Sequence, residues 1–100
     1  MMKLTVLYGH PLNPTEFERY YAEKHLPLAE KMEGVARAEL TKFVARPDGG
    51  KPDFYRMAEL YFTDSATMQE TLRSPEGMAT VADLANFATG GVTTLIGSVD

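Results

Sequence analysis

An α+β fold built on a four-stranded antiparallel sheet is what the sequence predicts, and three observations carry it. Short β-branched runs near both ends of the chain enclose two stretches with helical spacing. Two more β-patterned runs meet in the middle across a Pro- and Gly-rich segment. Each helical stretch carries a start signal in which a capping side chain precedes a proline, Asn13-Pro14 in the first and Ser74-Pro75 in the second.

The first strand is Met2 to Tyr8, closed by Gly9 and the turn chemistry of His10-Pro11-Leu12-Asn13-Pro14. The first helix starts with Asn13 as cap, Pro14 at its first position and Glu16 in its first turn. Phe17, Tyr20, Tyr21, Lys24, His25, Leu28 and Met32 then recur at spacings of three and four, which sets one side against a core. Pro27 lacks an N–H and crowds the carbonyl of Glu23, so the helix is expected to bend or restart near Leu26. Gly34 ends it. Val35 to Arg46 and Phe54 to Phe62 read as a hairpin with an exposed tip at Pro47 to Asp53. Thr63 or Asp64 caps a second helical segment through Met68 and Leu72. Ser74-Pro75-Glu76 restarts it through an apolar set of Met78, Val81, Ala82, Ala85 and Phe87. After Gly90-Gly91, Val92 to Val99 is the last strand.

The resulting order βαββαβ is the ferredoxin-like pattern, a single domain over residues 1–100 with both helices on one sheet face. Strand three places Phe54, Ala58, Leu60 and Phe62 on one side with Arg56. Tyr55, Met57 and Tyr61 lie on the other with Glu59. An apolar second face predicts a homodimer, in which two such sheets pack face to face around a twofold axis.

Composition narrows the function. Ten Lys+Arg against fourteen Asp+Glu leave a net charge of −4, with no basic cluster, so nucleic acid and anionic membranes are not expected partners. No apolar stretch reaches the length of a membrane span, and Met1 to Gly9 is too short for a signal peptide, so a cytoplasmic location is expected. With no cysteine there is no disulfide, thiolate nucleophile or Cys-based metal site. His10 precedes the first helix and His25 lies eleven residues into it, too far apart to share an ion, and Gly-rich phosphate loops are lacking. Neither a metal nor a tightly bound cofactor is expected.

His25 is the candidate acid or base. It sits on the core-facing side of helix one, four residues after Tyr21 and two before the proline that frees a backbone carbonyl. A neutral imidazole there donates to that carbonyl and presents its other nitrogen to a ligand; equally, its role is to tie down the bend. No carboxylate partner is legible beside it. Tyr20 and Tyr21 are candidates for orienting a hydrophobic or aromatic ligand, or amphipathic core residues with wet tips. Tyr8, at the end of strand one, is a further candidate on the same logic. Glu59 on strand three is a further ligand-binding candidate; as the lone charge on its face it needs a partner or a shifted pKa, and Lys42 and Arg37 are the candidate partners.

The stretch Tyr8-Gly9-His10-Pro11, then Asn13-Pro14 and Phe17, then Tyr20-Tyr21, then His25-Leu26-Pro27-Leu28-Ala29 resembles the signature of the EthD family. Gly34 falls where that family's helix-ending glycine is expected, and Glu33 departs from the proline usual before it. The resemblance implies a dimeric α/β barrel of a group first noticed beside genes for ethyl tert-butyl ether degradation. Relatives sharing the fold include cofactor-independent monooxygenases, lactone isomerases and haem-degrading enzymes, so the fold does not choose a chemistry; if the protein is an enzyme, a cofactor-independent oxidoreductase-like or isomerase-like activity is expected. The expected function is a small enzyme or accessory protein acting on a hydrophobic small molecule between helix one and the sheet. The alternatives are a binding module without catalysis or a structural dimer supporting an oxidoreductase.

Overall fold

A computed structural model describes all residues 1–100. Strand β1 (Met2–Tyr8) lies between β3 (Arg56–Phe62) and β4 (Val92–Ser98), and β2 (Arg37–Lys42) pairs with the far side of β3. The sheet order is β2-β3-β1-β4 with every pair antiparallel, the ferredoxin-like topology expected. Register sets Tyr8 against Arg56 on one side and Val92 on the other, with Leu4 between Leu60 and Ile96.

Side chains alternate across the pleat. Leu4, Val6, Tyr8, Ala58 and Phe62 turn toward the helices and join Phe17, Tyr21, Met68, Leu84 and Phe87 in one buried cluster. Tyr55, expected on the other face with Met57, precedes β3, escapes its alternation and joins this cluster against Phe17 at 5.1 Å. The opposite face is more mixed than strands three and four alone suggest. Met57, Tyr61 and Leu95 share it with Lys3, Arg37 and Glu39, contributed by β1 and β2. Both hairpin strands are shorter than expected. The N–H of Tyr55 bonds the carbonyl of Tyr8 while Phe43 bonds the carbonyl of Tyr55, after which the chain leaves the ladder into a turn where Gly50 N–H is held by Asp48.

Helix α1 (Pro14–Tyr20) begins as expected, with Asn13 Oδ1 accepting from the N–H of Glu16 at 3.1 Å. It passes into a π-helical turn, Tyr21–His25, and resumes as α2 (Leu26–Ala29). Pro27 accounts for the change: it has no N–H for the carbonyl of Glu23, and the N–H of Leu26 reaches back to Tyr21 instead. The helix ends at Ala29 with Glu30 as its C-cap, before the Gly34 expected to end it; Gly34 instead turns the connecting segment at φ +92, a conformation that strains any side chain.

Of the two caps proposed for α3 (Ser65–Arg73), Asp64 is the one used, accepting from Thr67 N–H at 2.8 Å. Ser74 caps α4 (Pro75–Asp83) through Gly77 N–H at 3.0 Å. The restart changes the helix's rotation. Met78 and Val81 are more than half exposed, and Gly77, Thr80 and Asp83 face inward instead. Gly77 enforces this, because a Cβ there would stand 2.0 Å from the carbonyl oxygen of Thr71. A short 3-10 turn, Leu84–Asn86, leads to the last loop. No helix is long and apolar enough to cross a membrane.

Candidate functional site

The inward rotation of α4 carries Asp83 to the π-helical turn. His25, 5% exposed, places Nδ1 2.9 Å from Asp83 Oδ2. Tyr20 donates its hydroxyl to Asp83 Oδ1 at 2.6 Å, and the Asn86 amide donates to the same oxygen at 2.9 Å. Sequence reasoning expected His25 to bond a freed backbone carbonyl with no carboxylate beside it. That expectation is corrected here, since Asp83, 58 residues away, takes the bond.

The electrostatics follow from these contacts. Burial works against the charge on Asp83, but the hydrogen bonds from Tyr20, Asn86 and His25 outweigh it and hold the carboxyl below its ordinary range. The same carboxylate, accepting the Tyr20 hydroxyl, raises that phenol. An ionised carboxylate only accepts, so in the neutral imidazole Nδ1 carries the proton and Nε2 keeps its lone pair. The ring is fixed by Tyr21, stacked at 5.8 Å, and by Phe87 at 4.6 Å. Nε2 makes no hydrogen bond within the chain, and His25 lines a cavity of about 450 Å³ between the sheet and helices α2 and α4.

That cavity spans the whole sheet, from Leu40 on β2 to Ile96 on β4, with Leu26, Met32 and Leu84 on the helical side. His25, Thr80 and Thr94 are its only lining residues that are not hydrophobic, and none of the lining residues is an acid, a lysine or an arginine. Its size suits a small organic ligand, and its lining suits a neutral one.

Tyr8, 1% exposed, also lines the cavity. Burial, with the neighbouring Tyr21 phenol adding to it, pushes the Tyr8 hydroxyl far up. Tyr21 lies behind the cavity wall, its hydroxyl enclosed without a partner and its ring beneath the Arg56 guanidinium at 5.0 Å. Burial pushes this phenol up to about 12, against the pull of Arg56. Arg56 is itself forked onto Glu18 at 2.9 and 2.6 Å. Of the five residues singled out, His25 and Tyr8 therefore reach the cavity, Tyr20 is linked to His25 through Asp83, and Tyr21 supports the ring of His25. Glu59 is on the other face of the sheet. Its partner is Lys3 at 2.7 Å, not Lys42, which approaches Glu18, or Arg37, which pairs with Glu39.

Sequence reasoning missed Asp83 and Asn86. The signal available was the pair of small residues Gly77 and Thr80 after the Ser74-Pro75 start, which sets the buried side of α4 one step from the Met78–Val81 stripe. No group of three or more His, Asp or Glu side chains is placed to hold a metal ion.

Fold and site define a small α+β protein with ferredoxin-like topology and a His-Asp pair at the wall of an apolar cavity. Residues 9–91 match the EthD domain model, and the chain belongs to the EthD family. It is 41% identical over 95 residues, 95% of this chain and 91% of the relative, to an uncharacterized 11.0 kDa protein from the thcB-thcC intergenic region of Rhodococcus erythropolis. Its structure is similar to that of an EthD family protein from Bacillus halodurans, with TM-score 0.93 and 34% identity over 100% of this chain and 99% of that one. At 18% identity and TM-score 0.63, covering 98% of this chain and 90% of the other, SnoaB from Streptomyces nogalater, a cofactor-independent oxygenase, shares the fold.

Proposed function

We propose that the protein is a small enzyme in which His25, oriented by Asp83, takes a proton from a neutral, largely apolar molecule bound between the sheet and helices α2 and α4. The observation that carries this reading is the His25–Asp83 bond at 2.9 Å on the wall of a cavity without a charged side chain. A general base needs a lone pair aimed at substrate and a partner that stabilises the imidazolium once formed, and the pair supplies both. Similarity to a cofactor-independent oxygenase supports a reaction run by protein side chains alone. The Met57, Tyr61 and Leu95 face of the sheet supports a homodimer, for which light scattering should give a mass near twice 11.1 kDa.

Nitrobenzisoxazole tests the base directly. Removal of its ring proton breaks the N–O bond and releases a coloured cyanonitrophenolate. The protein should accelerate this reaction, and His25→Ala should lose about 10²–10⁴-fold of the acceleration while still binding the probe. An alanine variant as fast as the parent would sink the reading. Tight binding with no turnover in the parent would instead make the protein a binding module.

A further inference from the structure

The cavity holds a second polar group that the His25–Asp83 pair does not use. Tyr8 is the last residue of β1 and is 1% exposed, and its hydroxyl makes no hydrogen bond within the chain. It is also absent from the fully enclosed unpartnered atoms, which are the hydroxyls of Tyr21 and Tyr55. The hydroxyl thus keeps a trace of exposure, and Tyr8 is among the residues that line the cavity. Of the tyrosines on the helix side of the sheet, Tyr20 is committed to Asp83, and Tyr21 and Tyr55 do not line the cavity. Leaving a buried hydroxyl unpaired costs stability, and a phenylalanine would pack there without that cost.

The ring is held as firmly as a catalytic donor needs. Phe17 and Tyr21 meet it edge-on at 5.4 and 5.7 Å, and Phe87 tilts against it at 5.7 Å. Tyr21 and Phe87 are the same rings that fix His25, so the free hydroxyl and the free Nε2 are registered against one pair of supports. Burial keeps the phenol protonated, so it acts as a hydrogen-bond donor at every ordinary pH.

We propose that Tyr8 is a second catalytic group that donates its O–H to the oxygen of a neutral carbonyl compound while His25 Nε2 removes a proton from the adjacent carbon. This rests on the base reading above and gives it a substrate class, apolar ketones or lactones with an acidic C–H beside the carbonyl. The carbon–hydrogen bond breaks and its electron pair forms a carbon–carbon double bond. The carbonyl oxygen takes the negative charge against Tyr8. The imidazolium then returns the proton to oxygen or to carbon, so nothing is oxidised and no second reactant is consumed. No charged side chain lines the cavity, the Thr80 hydroxyl donates to the Glu76 carbonyl at 2.8 Å and Thr94 is exposed on β4, so Tyr8 is the buried donor left for that oxygen.

The test uses β-tetralone in deuterium oxide, following by proton NMR the exchange of the hydrogens between its carbonyl and its aromatic ring. The parent should accelerate exchange over buffer, and Tyr8→Phe should lower the turnover number about a hundredfold with an unchanged or higher melting temperature. The enol mimic β-naphthol should bind the parent more tightly than β-tetralone and lose about tenfold in affinity in Tyr8→Phe. Exchange in Tyr8→Phe within twofold of the parent, with β-naphthol affinity unchanged, overturns the proposal. So does a parent that turns over nitrobenzisoxazole but leaves β-tetralone at the buffer rate, and in that case the base reading stands. If His25→Ala matches the parent on both probes, the base reading fails as well.

Discussion

Asp83→Asn is the substitution that asks most of the site, because it keeps the side chain's shape and removes only its charge. Asp83 Oδ1 receives two donors, Tyr20 and Asn86, while Oδ2 receives one, His25. An asparagine has one carbonyl oxygen to offer, and it satisfies more donors facing Tyr20 and Asn86. Its NH₂ then faces His25 Nδ1, which must accept rather than donate. The imidazole proton moves to Nε2, and the nitrogen at the cavity becomes a donor unable to act as base. A wrong tautomer of this kind costs on the order of 10⁴ in rate. Three charge-assisted bonds become two neutral ones and one reversed one, a loss of about 2 kcal/mol, or roughly 10 °C in melting temperature for a chain of this size. Nitrogen NMR of the imidazole reads the tautomer, and nitrobenzisoxazole turnover reads the rate. A variant that keeps the proton on Nδ1 and its turnover would refute this reasoning.

Acid adds a second reading of the same group. The folded-state pKa of Asp83 is depressed, so its ionised form contributes stability above the unfolded carboxyl value of about 3.9, and that contribution is lost as pH falls through the lower folded value. The gap in melting temperature between parent and Asp83→Asn should therefore be constant near neutrality and close in acid.

Two other substitutions test the frame around the site. Glu18 is held below its usual range chiefly by the Arg56 hydrogen bond, so Glu18→Gln should cost about 1 kcal/mol at pH 7 and progressively less below about pH 4, measured by urea unfolding across pH. An equal cost at all pH values would show that packing, not charge, holds Arg56. Gly34→Ala puts a Cβ at φ +92 and 2.6 Å from Thr71 Oγ1, whose hydroxyl bonds the Glu33 carbonyl, and should cost about 1–3 kcal/mol. An unchanged urea midpoint would mean that the turn relaxes freely.

Much of the fold was legible because its signals are local. Asn13-Pro14 and Ser74-Pro75 start helices where their chemistry predicts, whereas Gly34 turns the chain only after the helix has already ended at Ala29. The long-range pairings were less legible. Glu59 finds Lys3 because β1 and not β2 brings the nearest amine along the open face, a choice that depends on register across the sheet. Asp83 was hidden for a related reason. In sequence it belongs to a helix whose apolar residues suggest Met78 and Val81 as the buried side, and only the approach of Gly77 to the Thr71 carbonyl reverses that choice.

The π-helical turn decides which side chain the site receives. In a straight α-helix, at about 100° per residue, Lys24 would point within about 20° of Phe17 and His25 about 80° to one side. A lysine would then face the buried rings. Bonding from Leu26 N–H to the Tyr21 carbonyl widens the turn to about 80° per residue over Tyr21–His25, which brings His25 back to nearly the direction of Phe17 and turns Lys24 about 80° away. The burial pattern agrees: Phe17 and His25 are buried at 3% and 5% exposure, and Lys24 is exposed. Pro27 is thus more than a break in the helix. By denying Glu23 its partner two residues beyond the imidazole, it selects the wider turn that sets His25 against Asp83. A sequence reading that places the bend near Leu26 but assumes regular α-helical turns before it keeps Lys24 and His25 on one stripe and has no means of telling them apart.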